Sequence, residues 1–346
     1  MKIIPQKLIL IITLIIFLVT SYDSTIANAN FNPPPGRPLN VGVLLYNESD
    51  LFISLIKKNL ENIQRNNEDK LNFIFFDGKG NTTITHELAI QLSQGYYDLL
   101  LMNLMTPSPE NTEQIISSLK SRNIPFVLFI SEVSEKLIFN YKKAAIVGFS
   151  LINPGATQGQ ILVDAWNTDK NSIDKNKDNK LQYIMLKGDP TLIVTTARTN
   201  AALETITNAG IKIDELASIN IYWDKELAKT TMASLFLRYG NSIEAIISNN
   251  DAMAIGAIKA LQKFGYNKGN KDKSIAVVGF DAIPEAQELI KKGIMLGSVL
   301  NDAKTFAEML YNVGVNLTLG KSPIEGTQYK LNPTGTIIIP HEKFLK

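Results

Sequence analysis

The chain is 346 residues long and 45% hydrophobic, with 35 basic and 33 acidic side chains, two histidines and no cysteine. That length is more than one ordinary core accommodates and predicts two domains. The near-neutral balance, with no basic cluster, gives no electrostatic case for a nucleic acid partner, and the lack of cysteine excludes disulfides, thiol nucleophiles, a lipidated cysteine and cysteine-based metal sites.

Residues 1–29 read as an export signal peptide. Lys2 and Lys7 form a basic start, residues 8–20 are apolar and uncharged, and Ala27-Asn28-Ala29 offers small residues for cleavage. The apolar run falls short of the roughly 20 residues that a spanning helix needs; the alternative is an uncleaved N-terminal anchor. Residues 30–38, with Pro33, Pro34, Pro35 and Pro38, follow as a proline-rich extended arm.

Beyond the arm, apolar runs predict strands at 41–46, 71–76, 97–103, 126–130 and 144–147, then at 181–186, 217–222, 245–248, 275–280 and 295–300. Between most of them lie segments with helical spacing, such as Leu51, Leu55, Ile56, Leu60 and Ile63. The strands carry no polar alternation, so both of their faces are buried, as in parallel sheets covered by helices. Strand–helix alternation sustained along the chain predicts the α/β class. So many strands suit two sheets, with crossings near 148–153, 300–301 and 334–339. Residues 39–149 with 302–335 then form an N-terminal lobe, and 150–301 with 336–346 a C-terminal lobe. Ligands of open α/β sheets lie beyond the carboxyl ends of the strands, and two such edges facing each other across a hinge make a cleft that shuts on a small molecule.

Polar residues stand where that logic wants them. Asp50 follows the first strand, Asn250 and Asp251 the strand at 245–248, Asp281 the next, and Asn301 the last. Each alone fits a helix cap, Asp251 in particular; together they predict a polar pocket. Trp223 ends a strand of one lobe and Phe52 opens a helix of the other. A core position is the alternative for Trp223, but two flat rings suit the C–H faces of a hexose. Asn, Asp and Arg side chains match hydroxyls that donate and accept at once.

Asp174, Asn176, Asp178 and Gln182 have the spacing of positions 1, 3, 5 and 9 of an EF-hand Ca²⁺ loop, with the Lys180 carbonyl at position 7. Asn179 replaces the usual Gly and tolerates positive φ. Lys187 stands where the loop would close on Glu, and the spacing fits a plain polar loop equally well.

Taken together, Leu186-Lys187-Gly188-Asp189-Pro190, Ala197-Arg198-Thr199, Trp223-Asp224, Asn249-Asn250-Asp251-Ala252, Gly279-Phe280-Asp281-Ala282 and Leu300-Asn301-Asp302 resemble the galactose/glucose-binding family of periplasmic binding proteins (type 1). The resemblance runs over nearly the whole chain after the arm. It implies two Rossmann-like lobes with parallel sheets, a three-strand hinge, and a hexose of the galactose, glucose or methyl-galactoside kind in the cleft. The ligand residues it carries over are Asp50 and Phe52 from the first lobe, and Arg198, Trp223, Asn250, Asp281 and Asn301 from the second lobe and hinge. It also implies one structural Ca²⁺ held by Asp174, Asn176, Asp178, the Lys180 carbonyl, Gln182 and the distant Glu244. The expected setting is the periplasm, and the expected partners are an ABC permease and, in some members, a chemoreceptor. A monomer is expected.

Three positions depart from the family pattern: Ile130 replaces Asn, Leu192 replaces His, and Val194 replaces Asp. The two histidines, His86 and His341, lie far from these motifs in sequence. A hydrogen bond to a charged group contributes about 1.5–3 kcal/mol, and a hydroxyl facing Leu or Val is desolvated without a partner. Either the ligand is a deoxysugar or methyl glycoside with its modified edge on this trio, or glucose and galactose bind weakly. Among other functions, a sugar-responsive repressor needs a helix-turn-helix of about 50 residues before the sensor lobe, where this chain has a signal and an arm. An enzyme is not expected, since no nucleophile–base pair, phosphate loop or metal set is present and Gly78-Lys79-Gly80 is a turn. An exported sensor or surface protein without transport is the remaining alternative.

Overall fold

The structure is a computed structural model that describes residues 37–105, 109–130, 135–138, 140–148, 153–333, 335–339 and 341–346. The export signal and most of the proline-rich arm lie outside the described residues. The arm's end is fixed by Arg37, which forms a two-pronged ion pair with Asp98 at 2.6 and 2.8 Å.

From the arm, β1 (Leu39–Leu45), α1 (Leu51–Arg65), β2 (Leu71–Asp77), α2 (Thr82–Gln94), β3 (Leu99–Met102), α3 (Pro109–Ser121), β4 (Phe126–Phe129) and β5 (Ala144–Gly148) build a first lobe. A second lobe continues with α4 (Asn153–Thr168), the short α5 (Lys170–Ile173), β6 (Lys180–Lys187), α6 (Ile193–Asn208), β7 (Lys212–Asn220), α7 (Lys225–Tyr239), β8 (Ala245–Ser248), α8 (Asp251–Lys263), β9 (Ala276–Asp281), α9 (Pro284–Lys291) and β10 (Gly297–Leu300). The chain then returns to the first lobe as α10 (Ala303–Thr318), which packs on α1, β3, β4 and β5. It closes with β11 (Ile337–Ile338) and β12 (Glu342–Phe344).

Each lobe holds a six-stranded sheet, in the orders β11-β5-β4-β3-β1-β2 and β12-β10-β9-β8-β6-β7. All pairs are parallel except β12, which runs antiparallel to β10. Strands β3, β4 and β8 are buried throughout, as sheets covered on both faces require. The edge strand β7 is half exposed and begins at Lys212 rather than at 217. One face meets solvent, so its first half carries no apolar run to betray it.

The last crossing also falls later than the sequence suggests. Ile337 and Ile338 pair with Val147 and Gly148 of β5, which places residues 337–338 on the first sheet; only β12 joins the second. Ile337 is fully buried and completes the first core. The two lobes belong to one compact unit and touch directly, for Leu51 and Leu55 of α1 pack against the second lobe's core around Ile184, Ile246 and Ile283. In both sheets the order reverses beside the first strand, between β1 and β3 and between β6 and β8. Such a switch point opens a crevice at the carboxyl edge.

Candidate functional site

The carboxyl edges of the two sheets border one open-mouthed cavity. Asp50, Phe52, Arg198, Trp223, Asn250, Asp281 and Asn301 all line it, and so do Ile130, Leu192 and Val194. The structure thus gathers around one cavity every ligand residue that the family resemblance carries over, with the three departed positions, whereas Asp251, also expected in the pocket, does not line it.

One end is polar. Asp50 caps α1, its Oδ1 accepting from the Phe52 and Ile53 amides at 2.9 and 3.0 Å. Asn250, rather than Asp251, caps α8 by accepting from the Met253 amide at 3.0 Å. Cap and pocket are therefore not alternatives, because one oxygen fixes each head group and leaves its other polar atom to a ligand. Asp251 lies beneath the floor, fully buried, accepting from the Ile283 amide at 2.9 Å and the Ser298 hydroxyl at 2.7 Å. Gly279 makes room for it, since a Cβ there would stand 2.0 Å from its Oδ1.

Arg198 brings positive charge to this floor. Its guanidinium lies 3.6 Å from the centre of the Phe280 ring, a cation–π contact, and Nη1 donates to the Asn249 carbonyl. Its buried Nε has no hydrogen-bond partner. Burial lowers the guanidinium to about 10, against the pull of Asp281, Asp50 and Asp251. Burial likewise pushes the Asp281 carboxyl well above the usual range, in spite of the Arg198 charge. Asp281 is held with φ +106, a conformation side chains rarely adopt, and accepts from Asn301 Nδ2 at 3.3 Å. Asn301 Oδ1 is buried without a partner. An open donor on Arg198 and an open acceptor on Asn301 are what hydroxyl groups satisfy.

The other end is apolar. Tyr222 and Trp223 take consecutive left-handed conformations, φ +55 and +66, and this turn lays the indole on Gly188, where a Cβ would stand 2.0 Å from the ring. Phe52, on the first lobe, is steadied within that lobe by an edge-on contact with Phe306 of α10 at 6.2 Å. Ile130, Leu192 and Val194 join Tyr46, Met105 and Trp223 in one apolar cluster built from both lobes. Two of these sit against local preference. Ile130 has φ +43, a left-handed setting that costs an L-residue about 1–2 kcal/mol and is rarest for a β-branched one. Leu192 is the N-cap of α6 and makes no side-chain cap bond, where Ser, Asn or Asp would contribute about 1 kcal/mol.

Tyr46, Ile53, Asn103 and Met105 also line the cavity and were not singled out by sequence. Asn103 accepts from the Tyr46 amide at 3.2 Å and donates to the Phe129 and Ile130 carbonyls at 3.1 and 2.9 Å, tying the ends of β1, β3 and β4 together. It ends a strand, so the signal that marks Asn301 was there to find it. Tyr46 donates its hydroxyl to the Gly80 carbonyl at 2.8 Å, and the Asp189 carboxylate of the other lobe lies 3.4 Å away. Met105 follows no recognisable motif. His341, remote in sequence, comes under the floor, 5.5 Å from the Phe280 ring; burial lowers it to about 4.

Around the loop at 174–182, Glu244 accepts from the Lys175 and Gln182 amides at 2.7 and 3.1 Å and so ties the loop to the start of β8. Lys177 and Asn179 take positive φ, +62 and +63. Asp178 accepts from the Gln182 side chain at 2.7 Å, while Asp174 Oδ1 and Gln182 Oε1 are buried with no partner. Among the described residues no three His, Asp or Glu side chains converge as a metal cluster. The two buried acceptors without a donor, one from a carboxylate and one from an amide, fit a hard cation.

Residues 41–322 match the family model of the periplasmic binding protein domain. The chain is 34% identical to the D-galactose/methyl-galactoside binding periplasmic protein of Haemophilus influenzae, an alignment covering 84% of this chain and 85% of that one. In fold it is similar to an ABC transporter periplasmic solute binding protein from Actinobacillus succinogenes solved with D-allose, with a TM-score of 0.70 at 17% identity over 89% of this chain and 98% of the other. It is similar also to a solute binding protein from Bacillus halodurans solved with myo-inositol, with a TM-score of 0.69 at 21% identity over 89% and 94%. The family match covers both lobes and the cleft between them, and the chain belongs to the periplasmic binding protein family.

Proposed function

We propose that this protein is exported by its N-terminal signal, captures a monosaccharide of the hexose class in the interlobe cavity, and delivers it to an ABC permease. The observation that carries the reading is the join of Phe52 and Trp223, aromatic rings from opposite lobes, with a floor in which Arg198 Nε and Asn301 Oδ1 are buried and unsatisfied. Rings cover the C–H faces of a pyranose and the floor binds its hydroxyls. The relative named for D-galactose and methyl-galactoside supports a ring of that size. Asp50 and Phe52 belong to the first lobe and Arg198, Trp223 and Asn250 to the second, so a bound sugar contacts both, and contacts that span the cleft favour closure.

In the same reading the loop at 174–182 holds one Ca²⁺ through Asp174, Asn176, Asp178, the Lys180 carbonyl, Gln182 and Glu244. The ion adds a structural cross-link, and the unpartnered Asp174 and Gln182 oxygens support it. Titration calorimetry of the purified protein with galactose, glucose, allose and methyl galactoside tests the function. At least one of them binds, and Trp223→Ala lowers that affinity at least a hundredfold while the melting temperature stays within a few degrees. An affinity unchanged by Trp223→Ala would remove the cleft from the function.

A further inference from the structure

Resting on the sugar-capture reading, we infer that the preferred ligand is a deoxysugar, with hydroxyls along one edge and C–H or methyl where the opposite edge would carry a hydroxyl or hydroxymethyl. The cavity is two-sided. Asp50, Arg198, Asn250, Asp281 and Asn301 gather at one end, and the cluster of Tyr46, Met105, Ile130, Leu192, Val194 and Trp223 makes the other.

A hydroxyl turned to the apolar end gives up water and gains no partner. The nearby polar groups do not rescue it. Asp189 does not line the cavity, Asn103 spends its amide group on the Tyr46 amide and the Phe129 and Ile130 carbonyls, and the Tyr46 hydroxyl spends its proton on the Gly80 carbonyl. The same end is closely packed. Tyr46, Met105 and Leu192 are 8%, 5% and 6% exposed and pack on one another across the lobes. Space beyond the sugar edge is therefore filled by protein, which favours removing an oxygen over adding a carbon.

Backbone settings point the same way. At Ile130 the left-handed φ suits Asn, and at Leu192 the cap position suits Asn, Ser or Asp. A polar residue would be locally more stable at both, and local rules broken together at one wall mark a functional surface.

The test is calorimetry of the purified protein with D-galactose and D-glucose, their 6-deoxy and 1-deoxy counterparts, and methyl β-D-galactoside. At least one deoxysugar is expected to bind tenfold or more tighter than its parent. Parents that bind as tightly as every deoxy counterpart overturn the inference and leave sugar capture standing; so does a methyl galactoside that binds tightest. No binding by any sugar overturns the inference and the sugar-capture reading together. A second measurement separates structure from selectivity. In the Ile130→Asn/Leu192→Asn variant the melting temperature is expected to rise while the deoxy preference falls at least fivefold. A rise with the preference unchanged would overturn the role of this wall.

Discussion

The two ends of the cavity are built by opposite means. The polar end is assembled within short stretches of chain: Asp50 and Asn250 are fixed by the helices they cap, and Asp281 and Asn301 by adjacent strands β9 and β10. The apolar end is assembled across the lobes, from side chains that meet only because two sheets face each other. Asp50 apart, which comes from the first lobe, the polar wall belongs to the second lobe and its hinge edge and keeps its geometry whether the lobes are open or shut. A wall made across the gap exists only when they shut, so it acts on closure and on the shape of what is enclosed. In the proposed function, affinity then resides chiefly in the first and selectivity in the second.

Breaking the polar end is expected to give the largest effect. Arg198→Met keeps much of the side-chain volume and removes both the donors and the charge. Charged hydrogen bonds contribute about 1.5–3 kcal/mol each, so the loss of two lowers sugar affinity by a hundredfold or more in calorimetry. Buried Asp50, Asp251 and Asp281 also lose their countercharge, and the melting temperature of the variant is expected to fall more at pH 8 than at pH 6. A variant that still bound sugar at full strength would mean that affinity does not reside at this end.

The loop at 174–182 resembles the polar end in design, a local turn with buried oxygens left open, and sharpens the comparison from outside the cleft. Where an ion binds only the folded form, at a thousandfold excess over its dissociation constant it stabilises by about 4 kcal/mol. Chelator is expected to lower the melting temperature by several degrees, and Glu244→Gln to abolish that response. Identical melts with and without chelator would leave the loop as a plain polar turn.

How much of this was legible in the sequence follows from the same contrast. Residues at strand ends announce themselves, because a polar side chain after an apolar run has few structural uses; Asp50, Asn250, Asp281 and Asn301 were readable for that reason. The cap assigned to Asp251 belongs to Asn250, one residue earlier, a shift that local pattern does not resolve. Tyr46 and Met105 were not readable as wall residues, because nothing local distinguishes an apolar side chain that meets the other lobe from one that meets its own core. The strands with continuous apolar runs were found, whereas the half-exposed start of β7 and the two-residue β11 were not. That Ile130 stands at positive φ is a tertiary fact with no signature in composition.

Remaking the apolar end gives a smaller effect of the opposite sign. Ile130→Asn, Leu192→His and Val194→Asp together supply hydrogen-bonding groups where there are none. One net hydrogen bond to a charged group corresponds to roughly tenfold or more, so galactose or glucose is expected to gain ten- to hundredfold while deoxysugars lose. An equal gain for both kinds of ligand would show that the new groups act on closure alone.

The smallest expected effect concerns the carboxyl beneath the polar floor. In the unfolded chain the Asp251 carboxyl ionises near 3.8, and burial pushes it to about 7 in the fold. Between those values the folded protein holds more protons than the unfolded chain, so its stability falls as pH rises through this window and levels off above it. Asp50 and Asp281 shift in the same direction, also through burial. Asp98 and Asp164 shift the other way through Arg37 and Lys343, which costs stability only as the pH drops through their lowered values. His341, lowered to about 4, makes stability rise with pH up to 6.5 and so offsets Asp251 below that value; the melting temperature is therefore expected to be lower at pH 8 than at pH 6. Asp251→Asn, which has no charge to titrate, is expected to flatten that slope, as scanning calorimetry at the two pH values would measure. A slope unchanged by the substitution would place the titrating group among the cavity carboxylates themselves, and sugar binding would then reduce it where Asp251→Asn had not.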